Sequence, residues 1–243
     1  MYKNNPIAVA SLERCNAYAV GHFVLTPKEV PPGSGNWVNF HANSYVNKDE
    51  AYWTPTELKI LAHEIALQYV GQRVDVVVGP EKGAISLATL VALELADLQD
   101  SSLLPPSGCV HACWAEKVGA EEMVIGRVFG PHIKGMPDCK VLVVEDIGVS
   151  ASSARKTILA AQKLGAEVIG VAFITLRTEV TEADLAGVKE TCLLFVPIDK
   201  WLEEPGPDGE PCPMCQQDGF ESVSLTIGKG KEFLIRKGIL ALA

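Results

Sequence analysis

The chain has 243 residues, 48% of them hydrophobic, which is enough apolar material for one sizeable α/β domain and excludes global disorder. Its formal charge of −9 argues against a broad nucleic-acid surface but leaves room for a local basic site that takes an anionic ligand. No apolar run approaches the roughly 20 residues needed to span a bilayer, and the N-terminal stretch, interrupted by Glu13, Arg14 and Asn16, lacks a signal-peptide core. Seven scattered cysteines suit a reducing compartment better than a disulfide framework, so the expected setting is cytoplasmic and soluble.

Residues 20–56, which include PPGSGNW, read as loops or a small irregular subdomain. ELKILAHEIALQYV (57–70) has helical spacing, with Leu58, Leu61, Ile65 and Leu67 or Val70 on one face. RVDVVVG (73–79) predicts a buried strand and AISLATLVALELADL (84–98) a helix packed on it. Strands follow near 109–114 and 123–129. CKVLVVED (139–146) is a strand, SSARKTILAAQKLG (152–165) a helix, AEVIGVAFITL (166–176) a strand and TCLLFVP (191–197) the last strand. Buried apolar strands alternating with helices predict an α/β fold: a doubly wound, mainly parallel sheet with helices on both faces. The tail opens with EEPGPDGEPCPMC from 203, a surface excursion, and GKGKEFLIRKGILALA (228–243) reads as a short strand or helix.

The stretch VLVVEDIGVSASSARKTI (141–158) puts two acids at the end of a buried strand, where uncompensated charge is costly. In doubly wound sheets ligands bind beyond the carboxyl ends of strands. The helix that follows offers free N–H groups and its dipole to a phosphate, and Ser150, Ser152 and Ser153 add hydroxyl donors. Carboxylates beside a phosphate site need another partner, and sugar hydroxyls can donate to them. The stretch therefore reads as a sugar-phosphate site, with the acids on the diol and the loop on the phosphate. The competing reading makes Asp146 a helix cap and the serines ordinary turn residues.

VLVVEDIGVSASS resembles the phosphoribosyl-diphosphate (PRPP) signature of type I phosphoribosyltransferases. That resemblance places Glu145 and Asp146 on the ribose hydroxyls and the loop Ile147, Gly148, Val149, Ser150, Ala151, Ser152 and Ser153 on the 5-phosphate. The family loop usually reads Thr-Thr-Gly-Gly or Thr-Ala-Gly-Thr. Here one threonine hydroxyl is missing and no glycine stands between Ser150 and Ser153, so a positive φ is harder to reach.

Further stretches carry the resemblance toward the orotate branch of the family. VVVGPEKGAISLATLVA (76–92) is similar to the first loop, which contacts the pyrophosphate of PRPP. There Gly79 and Gly83 permit close backbone approach, and Glu81, Lys82 and Gly83 are implied PRPP contacts. HANSYVNKD (41–49) matches a segment like HSxxYVNKD that helps to form the base pocket, and Lys48 is the ligand contact carried over. The insertion PKEVPPGSGNWVNF stands where the family usually has a short Ser-Gly turn. CWAEKVGAEEMVIGRVFGPHIKG (113–135) lies where the family has a flexible catalytic hood. Lys117 is its only basic residue before Arg127, and with Asp146 it is the implied catalytic residue. Arg177, in ITLRTEV (174–180), matches an arginine that binds the base carboxylate in orotate enzymes, a role that suits bidentate pairing.

The resemblance implies a type I phosphoribosyltransferase fold with a small N-terminal hood subdomain. Residues 1–70 form the hood and base-pocket segment, 71–200 the core, and 201–243 a tail packed on hood or core. It implies transfer of the phosphoribosyl group to orotate with release of pyrophosphate, Mg²⁺ arriving with PRPP, and a homodimer acting on small molecules without nucleic acid or membrane. The alternatives are a non-catalytic PRPP- or nucleotide-binding regulator of the same fold, and a purine phosphoribosyltransferase. CPMC (212–215) has metal-knuckle spacing, but zinc normally needs a second pair of ligands, and no second CxxC exists. Cys109, His111 and Cys113 make only a loose set on a predicted strand. The pair therefore reads as a structural turn, none of the five histidines is singled out, and no metal ligand is expected.

Overall fold

The computed structural model describes residues 2–25, 27–30, 33–105, 107–119, 122–203 and 210–241. The N-terminal third contains α1 (Pro6–Arg14), β1 (Tyr18–Val24), β2 (Lys28–Glu29), β3 (Trp37–Val38), β4 (Phe40–Val46), α2 (Lys48–Trp53) and α3 (Pro55–Leu67). The middle runs β5 (Val76–Pro80), α4 (Ile85–Leu98), β6 (His111–Val118), β7 (Glu122–Ile125), α5 (Gly130–Gly135), β8 (Lys140–Gly148), α6 (Ser152–Lys163), β9 (Glu167–Leu176) and β10 (Glu190–Phe195). The tail carries β11 (Lys200–Leu202), α7 (Pro213–Asp218) and α8 (Gly230–Arg236).

Two compact units result. Met1–Cys15 and Lys48–Pro197 form the first, and Asn16–Asn47 with Ile198–Ala243 form the second. This division differs from the three consecutive segments expected. The helices α2 and α3 go with the core rather than with the residues before them, and the tail shares a unit with residues 16–47.

The first unit is built on a six-stranded sheet in the order β10-β9-β8-β5-β6-β7, all parallel except β7, which pairs antiparallel with β6. The expected doubly wound α/β sheet is present. The alternation of side chains along each strand explains why helices cover both faces. Val76, Val78, Val141, Val143, Val171 and Phe173 point to one face, where they bury against Ala154, Ile158 and Ala161 of α6. Val77, Leu142, Val144 and Ala172 alternate with them and are buried as well, which is why these strands read as unbroken apolar runs. Sheet growth goes from β5 to β6 in one direction and from β8 to β10 in the other. The crevice beyond the carboxyl ends of β5 and β8 is therefore the switch point, the place such a sheet offers to a ligand.

The second unit contains paired strands where the sequence suggested irregular loops. β1, β4 and β11 make an antiparallel sheet, and β2 pairs with β3 inside the inserted segment. A register shift between Val20 and Phe23 places a bulge at Gly21 and His22, and Gly21 takes φ 151°. The end of the tail is the helix α8. The expected surface excursion falls partly on residues 204–209, outside the described residues. CPMC does not stand as an isolated turn: Cys212 and Cys215 lie at the start of α7, where two histidines from β1 and β4 meet them. The histidines that meet this pair come from residues far away in the sequence, which a search for a second CxxC cannot find.

Candidate active site

β8 runs two residues beyond the acids, so Glu145 and Asp146 lie inside the strand and are only 5% and 3% exposed. Asp146 accepts the Ile147 N–H through Oδ1 at 2.6 Å, and its Oδ2 lies 2.9 Å from the Lys48 ammonium. It caps no helix, which removes the competing structural reading of the acidic pair. Glu145 accepts the Ser153 hydroxyl at 2.6 Å. Burial first, and the charge of Asp146 second, push the Glu145 carboxyl above the ordinary carboxylate range.

The turn after β8 reaches the backbone shape for which glycine would be the ordinary choice. Ala151 sits at φ 53°, ψ 13°, the left-handed region, and is the N-cap of α6. An alanine has no side-chain oxygen for the first-turn N–H groups, and no side chain caps them. Thr178 holds the preceding loop by donating its hydroxyl to the Val149 carbonyl. The result is a concave run of backbone leading into a helix start, a shape suited to an anion.

The loop after β5 supplies the facing wall. A Cβ on Gly79 would lie 2.3 Å from the Ala84 carbonyl oxygen, so only glycine allows the chain to fold back there. The Glu81–Lys82 peptide is cis. Glu81 is tied down twice: its N–H donates to the Ala115 carbonyl at 2.8 Å, and its carboxylate accepts the Lys117 N–H at 2.8 Å. Lys82 is exposed. A cavity of about 380 Å³ is lined by Glu81, Lys117, Met123, Ile147, Val149, Ser150, Ala151, Ser152, Ser153 and Lys156. Lys117 thus reaches the same space as the 147–153 loop, although the hood expected here is a β6–β7 hairpin, with residues 120 and 121 outside the described residues.

Arg177 follows β9, whose Leu176 pairs with Gly148, so it stands beside the end of β8, and its N–H donates to the Gly148 carbonyl at 2.9 Å. Its Nε is buried with no hydrogen-bond partner among the described residues, and burial lowers its affinity for a proton. A buried guanidinium nitrogen in that state calls for an acceptor.

Three residues at this rim escaped the sequence reading. Lys156 is one helical turn after Ser152, so i,i+4 spacing on α6 could have found it. The Tyr52 hydroxyl is buried with no partner among the described residues, and burial together with Asp146 and Glu145 raises its phenol pKa; it lies four residues after Lys48 on α2, just past the matched stretch. Thr178 carried no signal, because its role is visible only once β8 and β9 are paired.

A family profile for the phosphoribosyl transferase domain matches residues 55–208. An orotate phosphoribosyltransferase of Caldanaerobacter subterraneus is 30% identical over 206 residues, covering 84% of this chain and 88% of that protein. Its counterpart from Desulforamulus reducens is 29% identical over 204 residues, covering 84% and 87%. Among solved structures, the orotate phosphoribosyltransferase of Mycobacterium tuberculosis in complex with inorganic phosphate superposes with a TM-score of 0.54 at 21% identity. That alignment covers 79% of this chain and 97% of the other, and shows a shared fold.

Proposed function

Because the chain belongs to the phosphoribosyl transferase family, we propose that it transfers the phosphoribosyl group of PRPP to a pyrimidine base, orotate, and releases pyrophosphate. The observation that carries this reading is the pairing of two buried acids at the end of β8 with a left-handed turn and an uncapped α6. In this reading Glu145 and Asp146 take the ribose hydroxyls, while residues 147–153 and the start of α6 take the 5-phosphate. The loop Glu81, Lys82 and Gly83 faces the diphosphate. The C1–O bond to pyrophosphate breaks as the base nitrogen bonds to C1. Lys117, and Lys156 beside it on the cavity wall, offset the charge that gathers on the departing pyrophosphate. Arg177 pairs with the base carboxylate.

Mg²⁺ fits this rim as a companion of PRPP. It would be held by the diphosphate and ribose oxygens of PRPP and by retained waters more than by protein ligands, as that ion prefers. When bound it would neutralise the diphosphate. Lys48 then balances Asp146 and positions it for the diol.

A homodimer and a cytoplasmic setting belong to the same reading. The first is tested by light scattering coupled to gel filtration, the second by cell fractionation. No helix among the described residues is long and apolar enough to cross a membrane.

The decisive assay incubates the full chain with PRPP, Mg²⁺ and orotate and follows orotate loss and pyrophosphate release. Consumption of neither orotate nor another base would refute the enzyme. One observation favours a second reading: the phosphate loop has alanine at its left-handed position, and the hairpin carries one lysine where the family has several basic residues. A regulatory PRPP binder would give calorimetric binding without turnover.

A further inference from the structure

We propose that His22, His41, Cys212 and Cys215 form a tetrahedral zinc site that fastens the tail to the β1–β4 ribbon. The four candidate ligand atoms lie within 4.8 Å of one another. His22 Nε2 is 3.5 Å from both sulfurs, and His41 Nδ1 is 3.2 Å from Cys215 Sγ. A tetrahedral Zn²⁺ with Zn–S of about 2.3 Å and Zn–N of about 2.0–2.1 Å sets nitrogen–sulfur edges of roughly 3.5 Å. The two ring nitrogens stand 2.7 Å apart, and an ion between them needs them to spread by only ~0.6 Å.

Local structure aims each ligand inward. The bulge at Gly21 and His22 turns the His22 ring out of the regular pleat. His41 is opposite Val24 on β4 and 1% exposed. Cys212 and Cys215 are three apart at the start of α7, so their sulfurs share one side of the turn. The other nitrogen of His22 is also committed. Its Nδ1 is 2.7 Å from Ser222 Oγ, which in turn donates to the Gly219 carbonyl at 2.7 Å. That relay fixes the ring and leaves Nε2 to bind, as outer partners do at metal-ligating histidines.

Charge and geometry select the ion. Two thiolates and two neutral imidazoles around Zn²⁺ sum to zero, so the buried cluster carries no net charge. A two-iron cluster would hold thiolates and imidazoles on separate irons, too far apart for the 3.2–3.5 Å contacts seen here. The second unit also has reason to need a staple. Among the described residues its buried apolar side chains are few: Val24, Val223, Phe233 and Leu234 with Leu240 packed against them, and Ala17, Phe23 and Ala42. Units with so little core often rely on a metal.

The test uses the full chain purified under reducing conditions without chelator. Native mass spectrometry and elemental analysis should find one zinc per chain, and chelation should lower the thermal midpoint. After stripping, Co²⁺ added in zinc's place should give the strong visible bands of a tetrahedral thiolate site. The double variant Cys212→Ser/Cys215→Ser should lose the ion, whereas Cys109→Ser, at an exposed cysteine elsewhere, should keep it. A wild-type chain that binds neither Zn²⁺ nor Co²⁺ overturns the proposal, as does an octahedral cobalt spectrum or full zinc retention in the double variant. Should that variant fail to fold, the wild-type cobalt spectrum decides alone.

Discussion

The Lys48 ammonium reaches the buried Asp146 carboxylate at 2.9 Å only because residue 83 is a glycine. A Cβ there would lie 2.2 Å from Asp146 Oδ2 and 2.7 Å from Lys48 Nζ. Gly83→Ala should therefore push the pair apart at the end of its flexible side chains. Stability should change by less than about 1 kcal/mol, since those ends can shift. PRPP-dependent turnover should fall roughly 10²-fold, as on loss of one aligned group at a reacting centre. Lys48→Met should cost more stability, about 1–2 kcal/mol, because it strands a buried carboxylate whose partner is partly solvated. Denaturant melts beside steady-state kinetics separate the two effects. Equal turnover in wild type and Gly83→Ala would show that the pair does not position the site.

Ala151 pays for its left-handed backbone, and three terms decide what a glycine there would do. Relief of αL strain gains about 1–2 kcal/mol, loss of the buried methyl costs about 0.8, and the freer unfolded chain costs about 0.5–1. Ala151→Gly should thus be neutral to within about 1 kcal/mol. Ala151→Val adds a branched side chain to the same φ and to a buried position, so it should lose about 2–3 kcal/mol and most PRPP affinity. Urea melts and calorimetry with PRPP give both readouts. A Val variant as stable as wild type would contradict the left-handed turn.

Glu145 should make stability fall with rising pH. Its folded-state pKa is raised, so the folded protein holds a proton that the unfolded chain has already released. Between the ordinary carboxylate range and the raised value, unfolding stability declines as pH rises, and above that value the full penalty remains. Glu145→Gln keeps an acceptor for Ser153 and removes the charge. It should melt higher than wild type at alkaline pH and level with it near pH 4, while losing activity if Glu145 holds the ribose diol as proposed. Parallel melting curves across pH in the two proteins would show that Glu145 does not titrate abnormally.

How much of this could be read in the sequence depended on how local each signal was. β8, α6 and β9 announced themselves, because fully buried parallel strands are unbroken runs such as VLVV and VAFITL, and α6 repeats apolar residues at helical spacing. The acids and their loop were equally plain. The left-handed turn was harder, since alanine at 151 hides a shape that glycine would have advertised. The β1–β4–β11 sheet was missed because its strands are separated by turn-rich insertions, and β11 joins it from residue 200 onward. His22 and His41 were silent for the same reason: nothing in the neighbourhood of either histidine points to Cys212 and Cys215.

Arg177 offers the sharpest test of the acceptor, because among the described residues its buried Nε has no partner to lose. Removing a half-buried cation with no ion-pair partner among the described residues relieves a desolvation cost, so Arg177→Ala should be as stable as wild type or slightly more so. In the proposed role, the same change removes a charge-assisted bond to the base carboxylate, worth about 1.5–3 kcal/mol. The KM for orotate should then rise roughly 10- to 100-fold while the KM for PRPP stays near its starting value. Arg177→Lys keeps the charge without the planar fork, and should recover only part of that loss. Initial-rate kinetics with each substrate varied in turn measure this directly. An unchanged KM for orotate in Arg177→Ala would move the base pocket elsewhere and favour an acceptor without a carboxylate, such as a purine.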